Sequence, residues 1–592
     1  MSFLRLSNIH IIFIFGVLLY DLGILIFNAD RGFDITDESY YILGAMYPYD
    51  VFSVITHENY YTGLLFYLSS YNLAIFRIFG ILVLLLSSVW FASELYRYID
   101  EKFELNYINY NKLYFILIIS LSSLSYYLWW LVTPSYNWLS LVAMMLAMAS
   151  IFRIINNNDK LEKLFNVEYI YLGFSLCLLF MAKPTSLLAL FPALVLFVLF
   201  NYKKISITKV FISTSVVFFT LIIFHLILLD GGFISYIYKF KESMERLSLL
   251  EGGHGLQNSI ISLYDKGLSL YSKINIHKLI VFVLFSLFIT RYFYTNKLFL
   301  NILTFIFIIW FAYLLYFPTI VPFGINEKFY ITILIFSIYI VLLYFFTEQR
   351  IKLNIKIYLE ALFLLLFLSY LSIAISFGTN NIIWFHSSLS YILPVSGLMS
   401  FIFIIDKYHS IFKNIKVIVG IIISLSIFVL LDNAYKNPYR LNTSIEKQIE
   451  KVDLLGGLKV DYEQKIYIND LIRIKSLIKK NDEEIYLIDF TGGTPGANVI
   501  LKGKFFQQQW LLGGYPGSNN FGYRILNNVP QEKLENAWIL IAPNGILSLN
   551  SNLFSKLNLN ITDNYDKMGT VFFKTRNEIQ ELWKPKVKIN DK

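Results

Sequence analysis

Long apolar stretches recur along most of this 592-residue chain. An α-helix needs about 20 such residues to cross the hydrocarbon layer of a bilayer, which is about 30 Å thick. The pattern predicts about thirteen transmembrane helices, near residues 9–27, 74–95, 113–132, 137–154, 169–182, 185–200, 208–229, 276–292, 298–317, 328–346, 358–377, 389–406 and 414–432. We therefore expect a polytopic α-helical membrane protein.

Composition excludes an ordinary soluble protein. Hydrophobic residues make up 56% of the chain and charged residues 15%, whereas soluble domains carry about 25% charged residues. The net charge of +9 does not indicate a nucleic-acid partner, because Lys and Arg are scattered between apolar runs and are not gathered on one face. The single cysteine, Cys177, lies in an apolar run, where packing is its expected role.

The short loops predict the orientation in the cell membrane, because short cytoplasmic loops are enriched in Lys and Arg. The basic loops that fall on one side of a thirteen-helix count are 201–209, 291–297, 347–356 and 406–416. This alternation favours two separate spans around Ala182-Lys183-Pro184, although the two halves are short and one broken helix is the alternative. We expect a cytoplasmic N-terminus, extracytoplasmic loops at 28–73 and 230–277, and an extracytoplasmic C-terminal domain.

Composition changes after the last apolar stretch, where Asn, Asp, Glu, Lys and Gly increase. We divide the chain into a transmembrane domain at 1–432 and a soluble α/β domain at 433–592. Strand-like segments are 483–490, 498–505, 537–543 and 570–575, and helical spacing occurs at 440–482 and 533–538. The glycine-rich segments GGTPG and GGYPG do not have the strand-to-helix setting of a nucleotide site, so we interpret them as turns.

The first outer loop holds the main candidates for catalysis. Asp34, Asp37, Glu38 and Asp50 fall within seventeen residues that are rich in tyrosine. The segment SYYILGAM that follows the acidic pair has helical spacing, so Asp37 is predicted to begin a helix along the membrane surface. A partly desolvated carboxylate there can act as a general base. The alternative is a solvated turn without a chemical role.

Two basic residues are predicted on the same outer side. Arg77 stands at the start of the second apolar stretch and either extends to the interface or pairs with an anion. Lys183 stands between two apolar stretches, where the charge bias gives no reason for a lysine. We expect Lys183 to bind a phosphate or a carboxylate. His57 and Glu58 lie on the same outer loop, ahead of Arg77.

Amide and aromatic side chains are predicted at the outer ends of helices. They are Tyr136, Asn137, Thr379, Asn380 and Asn381. Sugars need paired donors and acceptors together with a stacking face, which such side chains provide. The alternative is helix capping, a routine role of Thr and Asn.

Other polar residues in or beside apolar runs are interpreted as structural. His225 and His254 have no second ligand at the spacing of a metal site. Asp21 and Asp406 are expected to be paired or to lie at the interface.

The helix count, the acidic pair in the first outer loop and the outer C-terminal domain together resemble the GT-C superfamily of membrane glycosyltransferases. The motifs ITDESYYIL, TPSYNWL, AKPTSLLAL and SFGTNN resemble those of bacterial members. The branch most similar is that of protein O-mannosyltransferases and lipid A aminoarabinose transferases. The resemblance covers the membrane part, about 430 residues, and the outer domain in position only. It implies a GT-C-like fold and inverting sugar transfer from a polyprenyl-phosphate donor to a glycan, lipid or protein acceptor.

The resemblance also implies roles for individual residues. Asp37 matches the general base and Glu38 its partner, while Lys183 and Arg77 would lie near the donor phosphate. Candidates for sugar or acceptor contacts are His57, Glu58, Tyr136, Asn137, Thr379 and Asn380. The segment THENYYTG stands where a proline-rich element is expected in aminoarabinose transferases, so their acceptor does not transfer to this chain. With one strong acidic pair we expect no cofactor, although some superfamily members require a divalent cation.

Two other classes of function stay open. A secondary transporter or flippase would place charges near the midplane of broken helices, whereas the polar residues here cluster in outer loops. An O-antigen ligase or polymerase would concentrate basic residues in one large outer loop. The loop at 230–277 is basic in this way, with Lys239, Lys241, Arg246, Lys266 and Lys273.

Overall fold

The structure is a computed structural model that describes residues 9–105, 109–157, 166–204, 206–251, 325–346, 355–378, 383–408, 411–476 and 485–586. Several predictions fall outside these residues and are not addressed by it. They concern the helices at 276–292 and 298–317 and the residues His254, Thr379, Asn380 and Asn381.

Helices dominate the first three quarters of the described chain. They are α1 (Ile9–Phe27), α2 (Asp37–Met46), α3 (Glu58–Leu68), α4 (Leu73–Phe103), α5 (Asn109–Ser123), α6 (Tyr136–Asn156), α7 (Val167–Ala182), α8 (Pro184–Phe200), α9 (Ile207–Leu228), α10 (Phe233–Leu249), α11 (Ile325–Phe346), α12 (Ile355–Ser376), α13 (Ile383–Ser387), α14 (Ile392–Asp406) and α15 (Ile411–Lys436). Each predicted apolar stretch within the described residues overlaps a helix, but the stretch at 113–132 extends beyond α5, which ends at Ser123 and is followed by a 3₁₀ turn at Leu124–Tyr127.

Length and apolar composition identify the helices that can cross a membrane. In the described part of the chain six pass this test, namely α1, α4, α6, α9, α12 and residues Ile415–Lys436 of α15. The segments Ile383–Ser390 and Ile392–Asp406, bent by 63°, pass it when counted as one span. Helices α7 and α8 are apolar but shorter. These helices indicate a membrane protein, and the larger number of about thirteen spans stays a prediction.

The chain breaks at Lys183, between α7 and α8. Lys183 has extended backbone angles, φ −159° and ψ 91°, and Pro184 opens the next helix. Proline disfavours the helical conformation in the residue before it, while its own fixed φ suits the first position of a helix. The chain therefore forms two helices here, and their being two separate membrane spans stays a prediction.

The C-terminal region contains a sheet, as predicted. Its elements are β1 (Glu450–Val452), β2 (Leu458–Val460), α16 (Tyr462–Ser476), β3 (Ile485–Asp489), α17 (Gly496–Leu501), β4 (Gly503–Lys504), α18 (Ser518–Leu526), α19 (Gln531–Glu535), β5 (Trp538–Ile541), α20 (Asn552–Lys556), α21 (Ile561–Asn564), β6 (Tyr565–Phe573) and β7 (Glu578–Pro585). The main sheet has the order β4-β3-β5-β7-β6, parallel between β4, β3 and β5 and antiparallel where β7 pairs with β5 and β6.

Three of the four predicted strands are present, and one is wrong. Segment 498–505 forms most of helix α17, followed by the two-residue strand β4. A short apolar run that is buried on all sides has the same pattern in a strand and in a helix, which explains the error. Strands β1, β2 and β7 were not predicted.

The first outer loop packs against this C-terminal region. Phe33, Ile42 and Phe66 share one buried cluster with residues of the sheet domain, including Leu487 and Leu582. The backbone also connects the two parts, because the Gly32 amide donates to the Lys459 carbonyl over 2.8 Å and the Gly496 amide donates to the Ile35 carbonyl over 2.9 Å. The loop and the sheet domain therefore hold each other in place.

The two glycine-rich turns lie against each other. The Gly513 amide donates to the Gly492 carbonyl over 2.7 Å, and Gly492 has a φ of +67°. A Cβ atom at Gly513 would collide with the Leu547 carbonyl oxygen. The turns are thus a close backbone crossing in which a side chain does not fit.

We expect Gly513→Ala to destabilise the C-terminal region by roughly 2 kcal/mol or more, because backbone atoms must separate. Gly522→Ala is the control, since its Cβ would meet only side-chain atoms, the nearest 3.2 Å away, and alanine favours a helix over glycine by about 1 kcal/mol. Limited proteolysis over a temperature series measures both. Equal resistance of the two variants would contradict the crossing.

Candidate functional site

Asp37 begins α2, as the sequence predicted, and its carboxylate meets residues from far along the chain. The Tyr439 hydroxyl donates to Asp37 Oδ2 over 2.9 Å, and the Arg440 guanidinium lies 3.3 Å from the same oxygen. The Asp37 side chain is 27% exposed. It is therefore held by two partners and still reachable from outside.

Glu38 has a different environment, although it is the next residue. Its side chain is buried and pairs with Arg77, whose Nη2 and Nε lie 2.6 and 3.0 Å from Glu38 Oε1. The Thr133 hydroxyl donates to the same oxygen. The other oxygen accepts from the Asp34 amide over 3.0 Å. We therefore interpret Glu38 as a structural anchor for the start of α2, which replaces its expected part in the chemistry.

Arg77 is also occupied by the protein. Besides Glu38, its guanidinium donates to the carbonyl oxygens of Ala29, Arg31 and Gly32 over 2.7, 3.2 and 2.8 Å. All three guanidinium nitrogens thus have acceptors, and the side chain is buried. The sequence analysis expected Arg77 either to reach the interface or to pair with an anion, and it pairs with Glu38. We therefore assign Arg77 no contact with a donor phosphate.

Asp34 forms hydrogen bonds within the turn before α2 and is buried. This turn is therefore not a solvated loop. Asp34 accepts from the Thr36 hydroxyl and amide over 2.6 and 2.8 Å and from the Glu38 amide over 3.2 Å. Together with the reverse bond from the Asp34 amide to Glu38, this is a reciprocal pair similar to a capping box but one residue wider, and Asp34 lies two residues before the N-cap, Thr36. Burial raises the pKa of Asp34 to about 6. The D-x-x-x-E spacing in the sequence was the available signal.

Tyr40 and Tyr136 are near both Asp37 and a second carboxylate, Glu58. Both carboxylates interact electrostatically with Tyr136 and with Tyr40, and the Tyr41 and Tyr136 rings lie 5.9 Å apart. Glu58 is 1% exposed, and burial raises its pKa to about 7. Within the described ranges no cation pairs with it. Glu58 is thus a buried carboxyl that can bind or release a proton near neutral pH.

Lys183 bonds to Ile375, one of the residues that line a small and mostly apolar cavity. Its ammonium donates to the Ile375 carbonyl over 2.9 Å, and burial lowers its pKa to about 7. Ile375, Asn137 and His386 are among the residues that line the cavity. The Ser135 side chain caps α6, so Asn137 is not the capping residue. Its side chain bonds to Tyr136 and lines the cavity.

His57 and His225 come together with Asp230, which the sequence analysis did not foresee. Their ligand atoms lie within 4.8 Å of one another, and all three residues are buried. The interpretation of His225 as an isolated histidine is therefore wrong. The predicted topology could have indicated this cluster. His225 precedes the predicted outer loop at 230–277 by a few residues, and His57 belongs to the predicted outer loop at 28–73.

Three residues interpreted as structural have different outcomes. Asp406 pairs with Lys416 at 2.6 Å, as expected, and Cys177 is buried and free. Asp21 was expected to be paired or interfacial, but it is fully buried in α1 and has no hydrogen-bond partner among the residues described. The structure does not explain Asp21.

The pairing of Arg77 with Glu38 makes a prediction. Arg77→Met leaves a buried carboxylate without its partner and is expected to cost about 3–5 kcal/mol. Glu38→Gln combined with Arg77→Met removes that charge and should recover part of the loss. Arg97→Met is the control, since Arg97 pairs with Glu101 on the exposed face of α4, where such pairs contribute about 0.5 kcal/mol. Thermal unfolding in detergent measures all three, and equal losses for Arg77→Met and Arg97→Met would contradict the anchor.

Comparison of the chain with models of protein families, with curated proteins and with solved structures found no match. The function must therefore be argued from the arrangement of side chains. This arrangement has an accessible carboxylate at Asp37, a buried carboxyl at Glu58 and a buried amine at Lys183.

Proposed function

We propose that the protein is a membrane glycosyltransferase that moves a sugar from a polyprenyl-phosphate donor to an acceptor of the cell envelope. The observation that carries this proposal is Asp37, an accessible carboxylate at the start of a helix, fixed by Tyr439 and Arg440. The resemblance to the GT-C superfamily supports the same reaction. Transfer takes place at the outer side of the membrane in this proposal.

The chemistry needs a base and a charge-stabilising group. The acceptor oxygen or nitrogen attacks the anomeric carbon of the sugar from the face opposite the phosphate, so the product is inverted. A new glycosidic bond forms while the bond between the anomeric carbon and the phosphate oxygen breaks. Asp37 takes the acceptor proton, and the polyprenyl phosphate leaves with the electron pair. Arg440, 3.3 Å from Asp37 Oδ2, and Tyr439 hold this carboxylate in place.

Lys183 is the cation proposed for the phosphate. It is buried, and among the described residues its ammonium bonds to one acceptor, the carbonyl of Ile375. Ile375 and Asn137 line the same cavity. Negative charge grows on the phosphate as the bond to the sugar breaks, and a cation placed there stabilises the transition state. Tyr136, Asn137 and Glu58 are proposed contacts of the sugar or the acceptor, because Tyr136 interacts with Asp37 and Glu58 and bonds to Asn137, which lines the cavity at Ile375.

The remaining residues of the acidic loop act at a distance in this proposal. Glu38 and Arg77 fix the start of α2 and thereby the direction of the Asp37 side chain. They are positioning residues and do not touch the substrate. This division explains why two neighbouring acids, Asp37 and Glu38, differ so strongly in exposure.

We expect Asp37→Asn to lower the turnover number by about 10²–10⁴, the contribution of a general base. Purified protein is incubated with a polyprenyl-phosphate sugar and a mixture of envelope acceptors, and release of polyprenyl phosphate is followed by mass spectrometry. Asp30→Asn, which removes an exposed pair with Lys459, is the control. Unchanged release by Asp37→Asn would remove Asp37 from the reaction.

The pKa of Lys183 gives a pH dependence. Because this pKa is lowered to about 7, the lysine is charged below that pH and neutral above it, whereas a donor phosphodiester keeps its charge. We expect kcat/KM for the donor to fall about tenfold between about pH 6 and pH 8. Lys183→Arg should show no such fall, because guanidinium stays protonated. A fall of the same size in both proteins would assign the titration to another group.

A further inference from the structure

Three potential metal ligands converge from separate parts of the chain. His57 precedes the first turn of α3, His225 lies in the last turn of α9, and Asp230 follows α9. Their exposed fractions are 4%, 7% and 2%. A ligand atom from each side chain lies within 4.8 Å of the others.

Three polar atoms of this cluster, one from each side chain, lack a hydrogen-bond partner among the described residues. His57 Nε2 and Asp230 Oδ2 are 3.1 Å apart, yet neither atom forms a well-aligned hydrogen bond in the described structure, and His225 Nε2 forms none either. A polar atom buried without a partner costs about 1–3 kcal/mol. An ion pair between His57 and Asp230 would account for two of these atoms and leave His225 unexplained.

The spacing suits a bound cation. Ligands about 2.0–2.2 Å from a tetrahedral metal ion lie about 3.4 Å from one another, so a small contraction of the cluster would complete such a site. Lys239 approaches Asp230 at 3.4 Å, but through Oδ1, and Asp230 Oδ2 remains directed at the histidines.

Aromatic rings surround the two imidazoles. Tyr60 and Tyr236 stack near His57, with ring centroids 6.1 and 5.9 Å away, and Tyr61 stacks near His225 at 6.3 Å. These rings restrict the orientation of the imidazoles and reduce their contact with water. Ligand side chains that are fixed in this way lose less entropy when a metal ion binds.

We propose that His57, His225 and Asp230 bind one divalent transition-metal ion of the Zn²⁺ class. Two imidazoles favour such ions over Mg²⁺ and Ca²⁺, which prefer oxygen ligands. Three protein ligands leave a coordination position open. This site is separate from the proposed chemistry at Asp37 and does not depend on it.

The ion would connect the parts of the outer face that carry Glu58 and Lys183. His57 is followed directly by Glu58, and the His57 amide donates to the Met181 carbonyl over 2.6 Å, two residues before Lys183. A metal bond to His57 would thus fix both neighbourhoods against the end of α9. Its role here is to position these segments.

The test measures metal content in the full-length protein, purified in detergent with a tag that contains no histidine cluster. After growth with added Zn²⁺, inductively coupled plasma mass spectrometry should find about one ion per chain in the wild type. His225→Ala should lower this at least fivefold. His10→Ala, a histidine on α1 that packs against Tyr114, is the control and should retain the ion.

A second measurement covers the case in which His225→Ala does not fold. Chelator-treated wild type is loaded with Co²⁺, whose visible absorption reports imidazole and carboxylate ligands, and the band should change in Asp230→Asn. Zn²⁺ should also raise the unfolding temperature of the wild type, because a ligand that binds only the folded state stabilises it. A wild type that holds no more Zn²⁺ than His225→Ala, or no Co²⁺ band at all, would overturn the site. Neither readout uses a sugar donor, so failure here is distinct from failure of the transferase proposal.

Discussion

The buried ion pair between Glu38 and Arg77 is the interaction on which the arrangement around Asp37 depends. Transfer of two charges out of water is costly, and the pair is tolerated only where further hydrogen bonds satisfy both partners. Thr133 and the Asp34 amide do this for Glu38, and three backbone carbonyls after α1 do it for Arg77. One side chain of α4 thereby fixes the turn after α1, the start of α2 and the loop before α6.

The C-terminal region is part of the same arrangement. The first outer loop and the sheet domain share a hydrophobic cluster, and Tyr439 and Arg440 reach Asp37 from the segment that follows α15. A boundary at residue 433 describes the change in composition, but it separates Asp37 from its partners. The base proposed for catalysis is thus assembled from both sides of that boundary.

The sequence was sufficient for features that depend on local pattern. The apolar stretches located the helices within the described residues, and the break at Lys183 followed from charge alternation and from Pro184. The start of α2 at Asp37 followed from helical spacing. What could not be predicted depends on contacts between distant residues. Glu38 and Asp37 look equivalent in the sequence, and only the position of Arg77 in the fold separates an anchor from an accessible base.

The histidine cluster illustrates the same limit. His57 and His225 are far apart in the sequence, and metal motifs are recognised by short spacing. The error at 498–505 has another cause, because a short buried helix has no polar face to reveal its period. Strand β7 was missed since its residues alternate weakly and depend on pairing with β5 and β6.

The bond between Tyr439 and Asp37 spans 402 positions of the chain. During synthesis Asp37 leaves the ribosome early and its hydroxyl partner late, after every described helix up to α15. The loop at 28–73 therefore lacks its contacts with the sheet domain while those helices are being made. In this order of assembly the proposed base has both of its partners only after Arg440 has been made, so a shorter nascent chain does not present the finished arrangement.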